Sequence, residues 1–600
     1  MITSIFDKEV QAVLDGATAP GAMFPSPEDW RDQCIYFLLV DRFNHSDAGP
    51  KNTPYDAQFS QFQGGTFNGI RAKLSYLKDL GVGALWLSPV LKNCQYNTGS
   101  YHGYGIQNFL AAEPRFASSP ELADTELRAL VDEAHRLGIY IIFDIVLHHA
   151  GDVFEYVING QEQAEAAWQD QPKIAVRWRD EHGIGNVDWT QAPANPPPDA
   201  AVFPDELRLD SLFTQRGNAM GNGFHPSGDF ESLKGIDSDV LQDGLQPAHV
   251  ALIRSYQYIV AKFDVDGFRI DTLKFISPDF ERTFGNAMRE FALSIGKKNF
   301  FTFGEVYDNE NEIALFIGRN TAATSDVVGV DAALDYPLFF TMPRVLKGLG
   351  ASPADLATVF ENRKQVEEDI LTSHGEAGAY FVTFLDNHDQ PQRFGFTGPT
   401  QLQDQITLGM AVLASLQGIP CFYYGTEQGL SGHKDAQHQD DSMVREALWG
   451  NPNGFDVKHQ LYLALQKILG IRNSQPALRY GRLYFRPISG DGSNFGLSPY
   501  PSGVISFSRI LNDREVVVVA NTNVQQGFTG EVIVDRQLNQ AGSSFRIQFS
   551  NRSASGSTSL VQDKSAGAVR ITEIDGSITN GPARTIHVQL QPMEAQILSR

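Results

Sequence analysis

Phe143-Asp144-Ile145-Val146-Leu147-His148-His149, Gly267-Phe268-Arg269-Ile270-Asp271, Phe303-Gly304-Glu305-Val306 and Phe384-Leu385-Asp386-Asn387-His388-Asp389 share one pattern, an apolar, strand-like run that closes on acids or histidines. A carboxylate at the end of a core strand is costly to bury unless a partner or a reaction compensates it. The cost makes sense where strands of a parallel barrel direct their carboxyl ends into one shared site, because that rim is where such barrels carry out chemistry. The order Asp, Arg-x-Asp, Glu, His-Asp along the chain therefore predicts an α/β protein built on a (β/α)8 TIM barrel.

Outward from these runs, strand-like and helix-like segments alternate from Cys34 onward, as in successive βα units. Strands are expected at 35–40, 84–88, 139–145, 265–270, 300–305, 328–334, 379–385 and 420–424, and eight strands close a barrel. Helices are expected at 70–80, 122–137, 247–263 and 457–471. Residues 1–30, a short helix and a Gly/Pro stretch, read as an N-terminal arm. The barrel takes 31–149 and 248–475. After the third strand the rhythm breaks over 150–247, a stretch of Gly, Pro, Asp, Asn and Trp that includes Pro193-Ala194-Asn195-Pro196-Pro197-Pro198. So long an interruption marks an inserted, loop-rich subdomain. Over 476–600 the pattern switches to period-two strands with Gly/Asn/Ser turns, a separate antiparallel β-sandwich.

A chain of 600 residues exceeds the ~250–300 that one core sustains, in keeping with several domains. Its formal charge of −23 argues against a nucleic-acid partner, whose binding rests on Lys and Arg at phosphates. No apolar run approaches ~20 residues, so no membrane span is expected. The start, Met1-Ile2-Thr3-Ser4-Ile5-Phe6-Asp7-Lys8-Glu9, lacks the basic end and apolar stretch of a secretion signal. Cytoplasm is the expected compartment, with a secreted or periplasmic location if the numbering begins after a removed signal. Cys34, Cys94 and Cys421 have no framework spacing and read as buried free thiols.

With Gly83-Ala84-Leu85-Trp86-Leu87-Ser88-Pro89-Val90, Tyr101-His102-Gly103-Tyr104 and Gly418-Ile419-Pro420-Cys421-Phe422-Tyr423-Tyr424-Gly425-Thr426-Glu427, the set resembles the alpha-amylase superfamily, glycoside hydrolase family thirteen. The resemblance runs over about 31–475, and the terminal sandwich fits the family's last domain. It implies a retaining α-glucoside hydrolase or transglycosylase acting on α-linked gluco-oligosaccharides or α-glucans. Such a reaction needs one acid to protonate the leaving oxygen and one carboxylate at the anomeric carbon, ~5–5.5 Å apart when the carboxylate attacks directly. On the family pattern Asp271 is the nucleophile, Glu305 the acid/base, and Asp389 a third carboxylate that grips hydroxyls and stabilises the transition state. His102, His149 and His388 would hydrogen-bond one glucose ring and Tyr104 would stack on its face. Arg269 keeps Asp271 ionised, since an opposite charge within ~4–6 Å lowers an Asp pKa, and Asp144 orients Arg269. Glu305 has to hold its proton at working pH, through burial or like-charged neighbours.

The chain departs from the family in two places. Many members hold a structural calcium between barrel and insertion, with an Asn before the strand-three His and an Asp late in the insertion. Here those positions are His148 and Gly235, in Leu233-Lys234-Gly235-Ile236-Asp237, and neither side chain offers the oxygen that calcium takes. The usual calcium is expected to be absent and no cofactor is required. Asp41-Arg42-Phe43-Asn44-His45-Ser46-Asp47 reads either as another oxygen-lined calcium loop or as a solvated turn. Where enzymes of long starch chains often show Lys-His, this chain has Lys274-Phe275. Lys274 stays a substrate-binding candidate, and the lost His points toward shorter or modified α-glucosides. Arg393 is read equally as a grip on a non-reducing-end sugar or as a surface ion pair. Two rival classes remain open: a non-catalytic carbohydrate-binding or assembly relative, which predicts loss of an acid, and a metal-dependent barrel enzyme, which needs ligands facing one ion.

Overall fold

The computed structural model describes residues 2–46, 60–187, 197–219, 227–321, 328–372, 375–398, 402–449, 451 and 454–600. Its centre is one parallel sheet of eight strands: β1 Ile35–Leu38, β2 Ala84–Leu87, β3 Tyr140–Val146, β4 Gly267–Asp271, β5 Phe301–Gly304, β6 Ala332–Ala333, β7 Val382–Thr383 and β8 Ile419–Tyr423. The strand order is β6-β5-β4-β3-β2-β1-β8-β7, and a parallel bridge from Leu334 to Val382 joins the two ends into a ring. Nearly every residue of these strands is buried, as both faces of a parallel barrel require. Strands six and seven are shorter than their apolar runs suggest. Asp331, just before β6, accepts the Thr302 amide on its carboxylate at 2.9 Å while its own amide donates to the Thr302 carbonyl at 3.0 Å, and residues 377–379 coil into a 3-10 turn before β7.

Helices wrap the ring: α1 Lys8–Ala17 in the arm, then α2 Ala123–Arg136, α3 Pro247–Phe263, α4 Pro278–Ser294, α5 Tyr336–Leu346, α6 Pro353–Glu367, α7 Gln403–Ser415 and α8 Gln460–Ser474. Their starts follow capping chemistry. Ser277 accepts from the Phe280 amide with Pro278 at the first helical position, and Ser352 forms a capping box with Asp355. The expected helix at 70–80 is two pieces, Phe67–Arg71 and Leu74–Leu80, and the second ends at Gly81, whose φ of 102° only glycine adopts freely. Between β3 and α3, small sheets pack Phe154 edge-on to Trp178 and Phe213, and the pair His149–Ala150 with Lys234–Gly235 joins this region to the barrel rim. The proline run from Pro193 lies partly outside the described residues.

Residues 482–599 form a nine-stranded antiparallel sheet whose two halves share one apolar core, including Val517, Val519, Val532, Phe545, Ile586 and Leu598. The strand Thr558–Lys564 pairs with both halves, so the expected antiparallel sandwich is continuous through it. Arg509, fully buried, donates to the Ser415 and Leu416 carbonyls at the end of α7 and to Gly481, tying that sheet to the barrel. All three cysteines are buried and free, and burial pushes the Cys34 and Cys94 thiols up to about 12.

The amino end of the barrel holds a charge cluster of its own. Asp266 receives His135 Nε2 at 2.7 Å and Lys297 Nζ at 2.7 Å, while Asp264 pairs with Lys297 and accepts the Phe24 amide. Phe24 stacks on His135 at 4.2 Å, so the arm is fastened to this cluster. Burial alone pulls His135 down, but the hydrogen bonds and charges of Asp264 and Asp266 outweigh it and leave the imidazole above its ordinary 6.5. A group raised on folding adds stability that is full below its unfolded pKa and fades as pH climbs through the folded value. His135→Gln is therefore expected to lower thermal stability most near pH 6, by ~1–3 kcal/mol, and least near pH 9. Melting curves of the two proteins across that range check this, and a deficit growing with pH would contradict it.

Candidate active site

Three consecutive strand ends meet on one guanidinium. Register pairs Arg269 on β4 with Asp144 on β3 and Ile270 with Gly304 on β5, so Asp271 and Glu305 leave adjacent strands at the same height. Arg269, fully buried, places one terminal nitrogen 2.9 Å from Asp144 and 2.7 Å from Asp271, and the other 2.9 Å from Glu305. One fork bridging two carboxylates holds them a few ångströms apart in fixed orientation. The chain then turns sharply: Thr272 adopts φ 49°, a left-handed conformation rare outside glycine, which directs its N–H to Glu305 Oε2 at 3.1 Å. Tyr336, at the start of α5, donates its hydroxyl to the other oxygen, Oε1, at 3.1 Å.

Burial raises the Asp271 carboxyl well above the usual range, Arg269 pulls against it, and Glu305, Asp144 and Asp389 push the same way as burial. Asp144 rises to about 6 by burial, opposed by Arg269. Carboxylates crowded this closely hold protons as a group rather than one by one.

A cleft of about 510 Å³ opens over these acids. His102, Tyr104, His149, Asp271, Lys274, Glu305, His388 and Asp389 all line it. Tyr104 donates its hydroxyl to Asp144 at 2.9 Å and lies 2.7 Å from His388 Nε2, which places the His388 proton on that nitrogen. The Tyr104 and His388 rings stack 5.5 Å apart. Burial lowers all three imidazoles, His102 to about 3 and the other two well below 6.5, so they stay neutral at physiological pH. His149 Nε2 and Thr272 Oγ1 are buried polar atoms without a hydrogen-bond partner among the described residues. Lys274 ion-pairs with Asp308 at 2.6 Å on the rim, and Phe275 joins Phe230 and His148 in an aromatic cluster.

Arg393 lies elsewhere, and neither sequence reading of it fits. It is completely buried, ion-paired with Glu446, donating to the Tyr424 carbonyl at 2.7 Å and lying 4.2 Å over the Tyr423 ring. Behind the cleft wall it supports the turn after β8.

Arg445 is the residue that sequence reasoning missed. It reaches Asp389 at 2.9 Å and Asp441 at 3.2 Å and donates to the His388 carbonyl. It comes from an irregular loop after β8 with no apolar run to flag it. Tyr336 was missed as well, hidden in a segment read only as the end of strand six.

At the barrel–insertion junction, Gly235 pairs with His149, and a side chain added at Gly235 would sit 2.9 Å from the Gly228 carbonyl. The adjacent Lys234, fully buried, places its ammonium 3.3 Å from Asp152 and 3.9 Å from Asp229. The acidic oxygens nearby thus already face a cation, and the donor set does not fit calcium. In the other loop Asp41 accepts the Gln63 and Gly64 amides and pairs with Arg42, while Asp47 lies outside the described residues. Among the described residues no three His, Cys, Asp or Glu side chains are placed to hold a metal ion.

A family model described as the alpha-amylase catalytic domain matches residues 37–197 and 246–468. The chain is 28% identical over 468 residues to an alpha-amylase of Streptomyces lividans, covering 71% of this chain and 48% of that protein. It is 25% identical over 490 residues to a cyclomaltodextrin glucanotransferase of Klebsiella oxytoca, covering 76% and 66%. The chain thus spans about half the length of the first of these relatives and under two thirds of the second. The crystal structure of an alpha-amylase from Geobacillus thermoleovorans complexed with acarbose superposes with TM-score 0.61 at 23% identity, over 96% of this chain and 99% of that one.

Asp389 lines the cleft, where desolvation, opposed by Arg445 and reinforced by Glu305, raises its carboxyl to about 7. Removing the opposing cation has a definite sign. Arg445→Met is expected to move the Asp389 titration above about 7, followed by carbon-13 shifts of labelled carboxyls, while Lys274→Met leaves it in place. An unmoved titration in Arg445→Met would mean that the ion pair does not form in solution.

Proposed function

The chain belongs to the alpha-amylase family, and from that premise we propose that it cleaves α-glucosidic bonds of gluco-oligosaccharides or α-glucans with retention of configuration. The observation that carries the reading is the Arg269 fork bridging Asp271 and Glu305 at neighbouring strand ends. In the first step an Asp271 oxygen attacks the anomeric carbon while Glu305 passes its proton to the leaving oxygen. The C–O bond breaks and a glycosyl ester forms on Asp271. In the second step Glu305 takes a proton from water or from a sugar hydroxyl, the oxygen so freed attacks the same carbon, and Asp271 departs as carboxylate. Water makes the enzyme a hydrolase, and a sugar acceptor makes it a transglycosylase.

The surroundings support these roles. Arg269 opposes the burial of Asp271 with a fixed cation 2.7 Å away, the direction an attacking carboxylate needs. Asp389, steered by Arg445, faces the same space and would bind hydroxyls as positive charge grows on the ring. Tyr104 offers a ring face, and three neutral imidazoles offer donors and acceptors without leaving a charge unpaired. The unpartnered His149 Nε2 is what a hydroxyl would satisfy. All three acids are present and share one cleft, which favours catalysis over a purely binding relative. The reading includes no structural calcium, because the Lys234 ammonium stands beside the acids of the junction.

Incubation with maltotriose, maltoheptaose and starch is expected to release products that proton NMR first sees as the α-anomer. Asp271→Asn and Glu305→Gln should each reduce turnover by at least ~1,000-fold while folding normally. Initial β-anomer, or undiminished turnover in Asp271→Asn, would overturn the assignment. An excess of chelator should leave the melting temperature within ~1 °C, since no bound ion is being withdrawn from the folded state. A drop of several degrees, restored by calcium, would show that the ion binds after all.

A further inference from the structure

Away from the cleft, the barrel and the terminal sheet leave a crevice between them. It encloses about 550 Å³, with α6 and Gln417 on the barrel side and the strand Arg482–Phe485, Ile533 and Ile571 on the other. Phe360, Arg363, Lys364 and Glu367 line it because spacings of three and four put them on one face of α6. The interior is apolar: Phe360 and Phe485 lie 5.7 Å apart, and Ile533 and Ile571 line the space with them. At the lip Tyr484 and Ile574 stay 39% and 46% exposed.

The cations on the walls are taken. Lys364 pairs with Glu361 at 2.8 Å, Arg486 with Glu515 at 2.7 Å, and Arg363 with Glu310 at 2.9 Å and with Asp335. Glu367, Glu368, Glu376 and Glu573 also line the crevice, and among the described residues they have no ion-pair partner. Glu367 accepts the Gly378 amide and Glu376 the Gln417 side chain at 3.3 Å, both neutral donors. Burial raises the Glu367 carboxyl to about 7 with Arg363 pulling against it, and a further cation would pull with Arg363. Among the described residues no three acids converge as a metal ion requires. The complement of this space is therefore an organic cation, its apolar body on the rings and its charge toward the carboxylates. The volume falls in the ~300–1,000 Å³ range of small-molecule sites. Two exposed apolar side chains at the lip fall far short of the ~1,000 Å² that a stable protein interface buries.

We propose that the crevice between α6 and the terminal sheet is a binding site for a small amine with an apolar body, of the alkylammonium or arylalkylammonium class. The site goes beyond the proposed reaction and does not depend on it. Phenethylamine is a suitable probe, with 2-phenylethanol and phenylacetate as its neutral and anionic counterparts. Titration calorimetry at low salt is expected to show the amine binding at least ~5-fold more tightly than either counterpart, with the preference fading as salt rises. Glu367→Gln combined with Glu376→Gln should bring the three ligands to within ~2-fold of one another, since the ring contacts remain and the charge is gone. Should loss of the Gly378 contact prevent that protein from folding, Glu368→Gln combined with Glu573→Gln, at two exposed positions, carries the same test. A preference for the amine that survives the substitutions would place it elsewhere, the acidic cleft included, and overturn the site. Equal affinity for the amine and the alcohol in the wild type, or no binding of the amine, would overturn it too. The readout is binding alone, so it stands whether or not the protein cleaves α-glucans.

Discussion

Arg269 is the constraint on which the active rim depends. A guanidinium with no exposed surface is tolerable only beside compensating anions, and here Asp144, Asp271 and Glu305 from three consecutive strand ends stand within ion-pair distance of it. The bargain runs both ways. Three carboxylates at the end of a buried barrel would repel one another and unravel the strand ends without that cation, and the cation would be stranded without them. Strand register sets the meeting, since β4 pairs Arg269 against Asp144 and brings Asp271 level with the residue after Gly304. The barrel's hydrogen-bond ladder is therefore also the positioning device of the site, because a one-residue slip would send these side chains to the opposite face.

Around this core the outer groups act on the carboxylates, each through one oxygen. Thr272 offers its amide and Tyr336 its hydroxyl to Glu305, Arg445 reaches Asp389, and Tyr104 and Trp86 donate to Asp144. The left-handed Thr272 is a local strain that makes sense only in that light. It turns the chain immediately after Asp271, and the surrounding structure, with Leu273 buried beneath it, holds the turn in place.

What was legible in the sequence follows the same division. Asp144, Arg269, Asp271, Glu305 and His388 announce themselves because each interrupts or closes an apolar run, and a charge in such a run demands an explanation. Helix α3, 247–263, was legible to the residue because Pro247 starts it and its apolar face is continuous. Strands six and seven were legible as positions but not as lengths, because only Ala332–Ala333 and Val382–Thr383 pair as strand and a 3-10 turn at 377–379 takes up part of the second apolar run. Arg445, Tyr336 and the true place of Arg393 were not legible at all. Their partners lie 56, 31 and 53 residues away, and only the closed ring brings these pairs together. Arg393 is instructive because its sequence neighbourhood, four residues past Asp389, suggests the cleft, while its side chain runs behind the wall to Glu446.

The net charge of −23 and the chemistry of the cleft look at odds, yet they are solved by one device. Among the described residues the cations near the site are matched: Arg269 by three acids, Lys274 by Asp308, Arg445 by Asp389 and Asp441, Lys234 by Asp152 and Asp229. The imidazoles that face the cleft are held neutral by burial. A charged ligand would find no unmatched partner there, and it would pay desolvation without return. Under the proposed function a neutral sugar would meet neutral donors, acceptors and ring faces in a cleft whose reacting end is lined by Asp271 and Glu305. In the proposed reaction these two acids would face the atoms whose charge changes as the bond breaks, so pairing off charge elsewhere would direct electrostatic stabilisation to the transition state.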